Sequence, residues 1–146
     1  MEMSRFIYER SVSYCGHLII PFVYSMVHKQ EIYSYSLLSE FGHRGKFHKV
    51  NNPSQLYSNT IEGIITIAKE HLDKESDIIS DKDYFKKRYT YRDNLIIIHE
   101  MNTKFYYDHY APNSLNNLAA PRIFRTDNDC IKWVKEGLDR LQVKRI

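Results

Sequence analysis

The chain predicts an α+β fold, a single domain of mainly antiparallel sheet with two principal helices packed on one face, and three stretches carry that prediction. The run IYSYSLLS sets Tyr33, Tyr35 and Leu37 on one face and Ser34 and Ser36 on the other, the period of a half-buried strand. Two segments, Tyr57 to Leu72 and Thr126 onward, repeat apolar residues at three-to-four spacing, the period of an amphipathic helix. Between them, YTYRDNLIIIHEMNTKFYYDHY (89–110) places an Ile-rich run and a Tyr-rich run on either side of a short polar turn, a hairpin pattern.

In chain order, Arg5 to Val12 alternates loosely and reads as a first strand, closed by Gly16. HLIIPFVYSMV follows as a core strand. Its Pro21 donates no ladder hydrogen bond and so implies an edge or a bulge. The apolar run Leu18–Val27 is about half the roughly 20 residues that a membrane helix needs, so no membrane association is expected. After the third strand, FGHRGKFHKVNN (41–52) is a polar, basic loop with two glycines. The first helix carries Tyr57, Ile61, Ile64, Ile65, Ala68 and Leu72 inward, with Asn59 and Glu62 as its capping pair. Ser76 to Lys87 is a charged linker with one short helical turn. The piece NSLNNLAAP is a loop closed by a short strand at Arg122–Phe124. Thr126 and Asp129 form a capping box for the second helix, which turns Cys130, Ile131, Val134, Leu138 and Leu141 inward. No internal repeat and no low-complexity tract stands out.

Within the hairpin, a two-residue turn at Asn102 and Thr103 sets Glu100 opposite Phe105, His99 opposite Tyr106, Ile98 opposite Tyr107 and Ile96 opposite His109. His99 and His109 then lie on opposite faces, which disfavours a shared site. A register changed by one residue pairs His99 with Tyr107 instead.

The net charge of +3, concentrated in the C-terminal half, is far below the footprint of a dedicated DNA binder. The seven histidines are scattered, and Cys15 and Cys130 lack ligand spacing, so neither a metal nor a cofactor is expected. The same two cysteines and an acidic N-terminus suit a reducing cytoplasm.

Three functions remain. Twelve tyrosines are more than a core of this size can hide with their hydroxyls satisfied, so some are available for contact. The leading expectation is therefore a cytoplasmic, non-catalytic binding or regulatory module that engages a protein partner, or a second copy of itself, through a tyrosine-rich sheet surface. Its contact residues are Tyr89, Tyr91, Arg92, Tyr106 and Tyr107. The first alternative is a single-stranded nucleic-acid binder, in which Arg44, Lys46, Lys49, Lys86, Lys87 and Arg88 neutralise phosphates and tyrosines stack on bases. The second is an enzyme acting on an anionic small molecule, with Arg44 or Arg92 holding the anion and His99 or His109 moving protons.

Overall fold

Four two-residue turns organise the strands. Cys15 and Gly16, His28 and Lys29, Arg92 and Asp93, and Asn102 and Thr103 all have positive φ at both positions. That backbone matches the right-handed twist of paired strands and folds each pair into a tight hairpin. Only one of these eight residues is glycine, so seven side chains accept a left-handed conformation for the sake of the turn. The computed structural model describes residues 5–76, 78 and 83–144, so the middle of the expected linker, at 77 and 79–82, lies outside the described residues.

The chain gathers into two compact units, Met1–Lys86 and Lys87–Ile146. The α+β class and the antiparallel pairing are as expected from the sequence. The strands form two sheets, each with one helix.

In the first unit, β1 (Val12–Tyr14), β2 (His17–Val27), β3 (Gln30–Ser39) and β4 (Val50–Asn51) form a sheet in that order. The expected strand at Arg5–Val12 is instead a 3₁₀ turn at Tyr8–Arg10 followed by β1. Pairing of β1 with β2 ends at Ile19, so Pro21 lies beyond it, and the register of β2 slips between Val23 and Ser25. Both features suit a proline in this strand. The helix α1 (Ile61–Glu75) is capped by Thr60, whose hydroxyl accepts the Gly63 N–H, and not by Asn59. Such a cap contributes about 1 kcal/mol. Ile64, Ala68 and Leu72 of α1 pack on Ile19, Tyr35 and Leu37, and Phe47 from the 41–52 loop completes this core.

In the second unit, β5 (Arg88–Tyr91), β6 (Asn94–Met101) and β7 (Lys104–Tyr110) form a three-stranded sheet, followed by α2 (Asp127–Lys144). The β6–β7 register is the one that a turn at Asn102 and Thr103 dictates. Thr126 accepts the Asp129 N–H as expected. Ile96, Ile98 and Tyr107 face α2 and pack on Cys130 and Val134, while Leu95, Ile97 and His99, on the other face, are also buried.

The two units repeat one plan, which corrects the absence of a repeat in the sequence reading. Each is a meander of three strands on two-residue turns. In each, the segment two residues before a threonine cap bridges the third strand, Ser58 to Tyr33 and Phe124 to Phe105. Higher on that strand, the Lys49 N–H donates to the Leu37 carbonyl at 2.8 Å and the Leu118 N–H to the His109 carbonyl at 2.7 Å. Side chains correspond as well. Tyr14 donates to Asp73 Oδ1 and Tyr91 to Asp139 Oδ1, both at 2.7 Å, while Lys69 and Lys135 each sit 5.2 Å from the ring of that tyrosine. In the sequence the match is Ser13-Tyr14-Cys15-Gly16-His17-Leu18-Ile19-Ile20 with Thr90-Tyr91-Arg92-Asp93-Asn94-Leu95-Ile96-Ile97, and Lys69-Glu70-His71-Leu72-Asp73 with Lys135-Glu136-Gly137-Leu138-Asp139.

Candidate functional site

The second unit holds a cavity of about 260 Å³ between β7 and α2. Tyr107 and His109 line it from the strand and Leu118 from the following loop. The helix contributes Trp133, Val134, Gly137, Leu138 and Leu141. The volume is sufficient for a small ligand, since an apolar cavity of about 150 Å³ already admits benzene. Trp133, the one tryptophan of the chain, lies 6.1 Å from the Tyr107 ring and 5.7 Å from Phe124, so an aromatic wall backs the cavity. At its mouth, Leu118 and Leu141 are each more than half exposed.

Two polar groups in this wall are held by specific partners. The Tyr107 hydroxyl accepts the Ala120 N–H at 2.9 Å. His109 Nε2 lies 2.9 Å from Asn94 Oδ1, while the Asn94 amide group donates to the Arg92 carbonyl at 2.8 Å. With the Asn94 amide nitrogen engaged as donor, its Oδ1 is an acceptor and His109 carries its proton on Nε2, leaving Nδ1 as an acceptor. Burial pushes the His109 pKa below the ordinary 6.5, so the ring is neutral at physiological pH.

Gly137 is the opening in the helix wall. A Cβ built there meets nothing closer than the Arg140 guanidinium at 3.8 Å, so crowding does not require glycine. A glycine in a helix interior costs about 1 kcal/mol relative to alanine. What it provides here is space.

The other titratable cluster is on the opposite face of the same sheet. His99 Nε2 approaches Asp108 Oδ2 at 2.7 Å, and Asn117 donates to Asp108 Oδ1 at 2.8 Å. The Tyr106 ring lies 5.0 Å from His99, tilted by 34°. A histidine and a carboxylate therefore do meet, but diagonally across β6 and β7 and away from the cavity that His109 lines. Among the described residues no cluster of three or more histidine, cysteine or acidic side chains is arranged to hold a metal.

The five expected contact residues are divided in the same way. Tyr89, 38% exposed, and Tyr91 pair with Ile96 and Asn94 and so share the α2 face with Tyr107, whereas Tyr106 lies on the His99 face. Arg92 sits in the β5–β6 turn, its Nε 2.7 Å from Asp139 Oδ1 and its guanidinium over the Tyr91 ring. That carboxylate pushes the Tyr91 hydroxyl pKa up, and the two bonds pull the Asp139 pKa down. Tyr91 and Arg92 thus tie β5 to α2.

The basic candidates are spread over both units. Arg44 ends an exposed 3₁₀ turn at Gly42–Arg44, and Lys46 Nζ donates to the Glu75 carbonyl at 3.3 Å. Lys49 adopts a left-handed φ of 60°. Lys86 is exposed, Lys87 Nζ lies 3.4 Å from Asp127, and Arg88 faces away from α2. Of the twelve tyrosines, Tyr8, Tyr35, Tyr107 and Tyr110 are buried, while Tyr24, Tyr57, Tyr84 and Tyr89 are exposed. Exposure does not mean isolation, since Tyr24 and Tyr57 stack on each other at 4.6 Å and Tyr84 meets Phe85 edge-on at 5.0 Å.

Sequence reasoning missed Asn94, Leu118, Trp133 and Gly137. The solitary tryptophan beside a helix-interior glycine was the available signal. No helix among the described residues is long and apolar enough to cross a membrane. Comparison with protein-family models, with curated proteins and with solved structures finds no match.

Proposed function

We propose that this protein is a non-catalytic binding module that engages a protein partner, with the cavity between β7 and α2 as the anchor site. The observation that carries this reading is the cavity itself: aromatic and aliphatic walls, one neutral histidine, and an apolar rim of Leu118 and Leu141. A buried apolar centre with aromatic walls is the usual form of an interface hot spot. Tyr91 and Arg92 tie β5 to α2, the helix that forms one wall of the site. Catalysis is less well supported, because the histidine–carboxylate pair and the cavity belong to opposite faces. Nucleic-acid binding is also less well supported, because the six basic candidates are spread over both units. Cytoplasmic residence belongs to the same proposal and rests on the exposed free thiol of Cys15.

The test is selection of a displayed random-peptide library on the folded protein, repeated on a Gly137→Phe variant of confirmed fold. Peptides enriched on the wild type, lost on the variant and shifting Trp133 fluorescence support the reading. Enrichment indifferent to Gly137→Phe, or no enrichment, overturns it.

A further inference from the structure

In the first unit, the place equivalent to the cavity is filled. With α1 and α2 aligned on Thr60 and Thr126, His71 corresponds to Gly137 and Ile67 to Trp133. With the third strands aligned on their bridges, Tyr35 corresponds to Tyr107 and Leu37 to His109. The loop residues that donate to those strands, Lys49 and Leu118, then set Phe47 against Asn116. Phe47 is buried with its ring 5.3 Å from His71 and 6.1 Å from His17. His17 matches Asn94, and each bonds back to the carbonyl two residues earlier, His17 Nδ1 to Cys15 and Asn94 to Arg92.

Three rings fill the space in one unit, and asparagine, asparagine and glycine stand at those positions in the other. Exposed Asn116 provides no plug. Resting on the binding reading above, we infer that the cavity receives an aromatic side chain of a partner polypeptide, entering as Phe47 enters its own unit. The Tyr107 and Trp133 walls favour an aromatic ring through edge and offset stacking. The exposed Leu118 and Leu141 at the mouth give a polypeptide apolar surface beyond the ring, which a free small aromatic would leave uncovered.

The probe is the pentapeptide Gly-Lys-Phe-His-Lys with blocked ends, the sequence of residues 45–49, alongside versions with leucine or alanine at its centre. Binding is read from Trp133 fluorescence and by calorimetry on the full chain. The phenylalanine peptide is expected to bind saturably, roughly tenfold or more tighter than the leucine peptide, with the alanine peptide silent. Gly137→Phe is expected to abolish binding, and so is Asn116→Phe, which supplies an internal plug and guards against a folding defect in either variant. Equal binding of the phenylalanine and leucine peptides overturns the aromatic preference and leaves the protein-binding reading standing, as do library peptides without an aromatic residue. N-acetylphenylalaninamide binding as tightly as the pentapeptide overturns a polypeptide occupant. A wild-type dimer that Gly137→Phe converts to monomer assigns the cavity to a second copy and overturns a separate partner. No saturable response to the phenylalanine peptide overturns the inference.

Discussion

Tyr91 donates its hydroxyl to Asp139 across the β5–α2 junction at 2.7 Å, and the first unit repeats the bond between Tyr14 and Asp73. The neighbouring carboxylate opposes ionisation of each phenol, and Tyr14 is pushed up to about 12. Ultraviolet absorbance titration of Asp73→Asn is expected to show one tyrosine returning toward the ordinary 10, with Asp139→Asn releasing a second. Titration curves identical to wild type would mean that these bonds do not form in solution.

The two helix glycines respond in opposite directions to alanine. At Gly137 the new methyl meets open space, and Gly137→Ala is expected to stabilise by about 0.5–1 kcal/mol. At Gly63 it falls 2.1 Å from Ser58 Oγ and 2.8 Å from Thr60 Oγ1, so Gly63→Ala disturbs the cap of α1 and destabilises. Urea unfolding midpoints of the two variants, compared with wild type, measure both signs.

Phe47→Ala removes the ring that fills the first unit. For a buried aromatic side chain the expected loss is about 3–5 kcal/mol, read from the denaturation midpoint. The emptied site then resembles its open counterpart, and the variant is expected to regain stability in the presence of benzene. A loss below about 1 kcal/mol would show that the 41–52 loop does not plug this core.

Acid weakens the fold through two histidines, buried His17 and half-buried His109. Burial holds the pKa of both His17 and His109 below 6.5, so the folded state binds protons less readily than the unfolded chain. Stability is complete above that value and declines as the pH falls through 6.5 toward the lowered folded values. His109→Leu, which installs the counterpart of Leu37, is expected to flatten this decline, whatever its effect at neutral pH. The check is the pH dependence of the unfolding midpoint between pH 7 and 5 for both proteins. The depressed carboxyl of Asp139 contributes in the same direction, but below its ordinary 3.8.

Much of the architecture was legible because local patterns agree with it. The strand at Tyr33–Leu37, the helical spacing from Ile61 to Leu72 and the Thr126–Asp129 cap all appear where expected, but that strand is sealed on both faces rather than half-buried, since Ser34 and Ser36 are as buried as Tyr35 and Leu37. The hairpin register was left open between two alternatives, and the one formed is that of a two-residue turn at Asn102 and Thr103. The duplication was hidden for a physical reason: the matching segments are short, and loops of unequal length and a bulge in β2 separate them. The turns were hard to see for another, since His28-Lys29 and Arg92-Asp93 have left-handed backbones without the asparagine–glycine signature. The cavity left almost no trace, because it arises where Asn116 and Gly137 fail to supply volume. An absent side chain has no period.

The two units differ in how their equivalent spaces are filled. One half is sealed by its own Phe47, and the other keeps a vacancy bordered by a glycine that weakens its helix. A methyl at 137 narrows that space, and a ring at 116 or 137 would fill it. Laboratory selection for heat resistance alone is therefore expected to drift toward a sturdier protein whose cavity has closed.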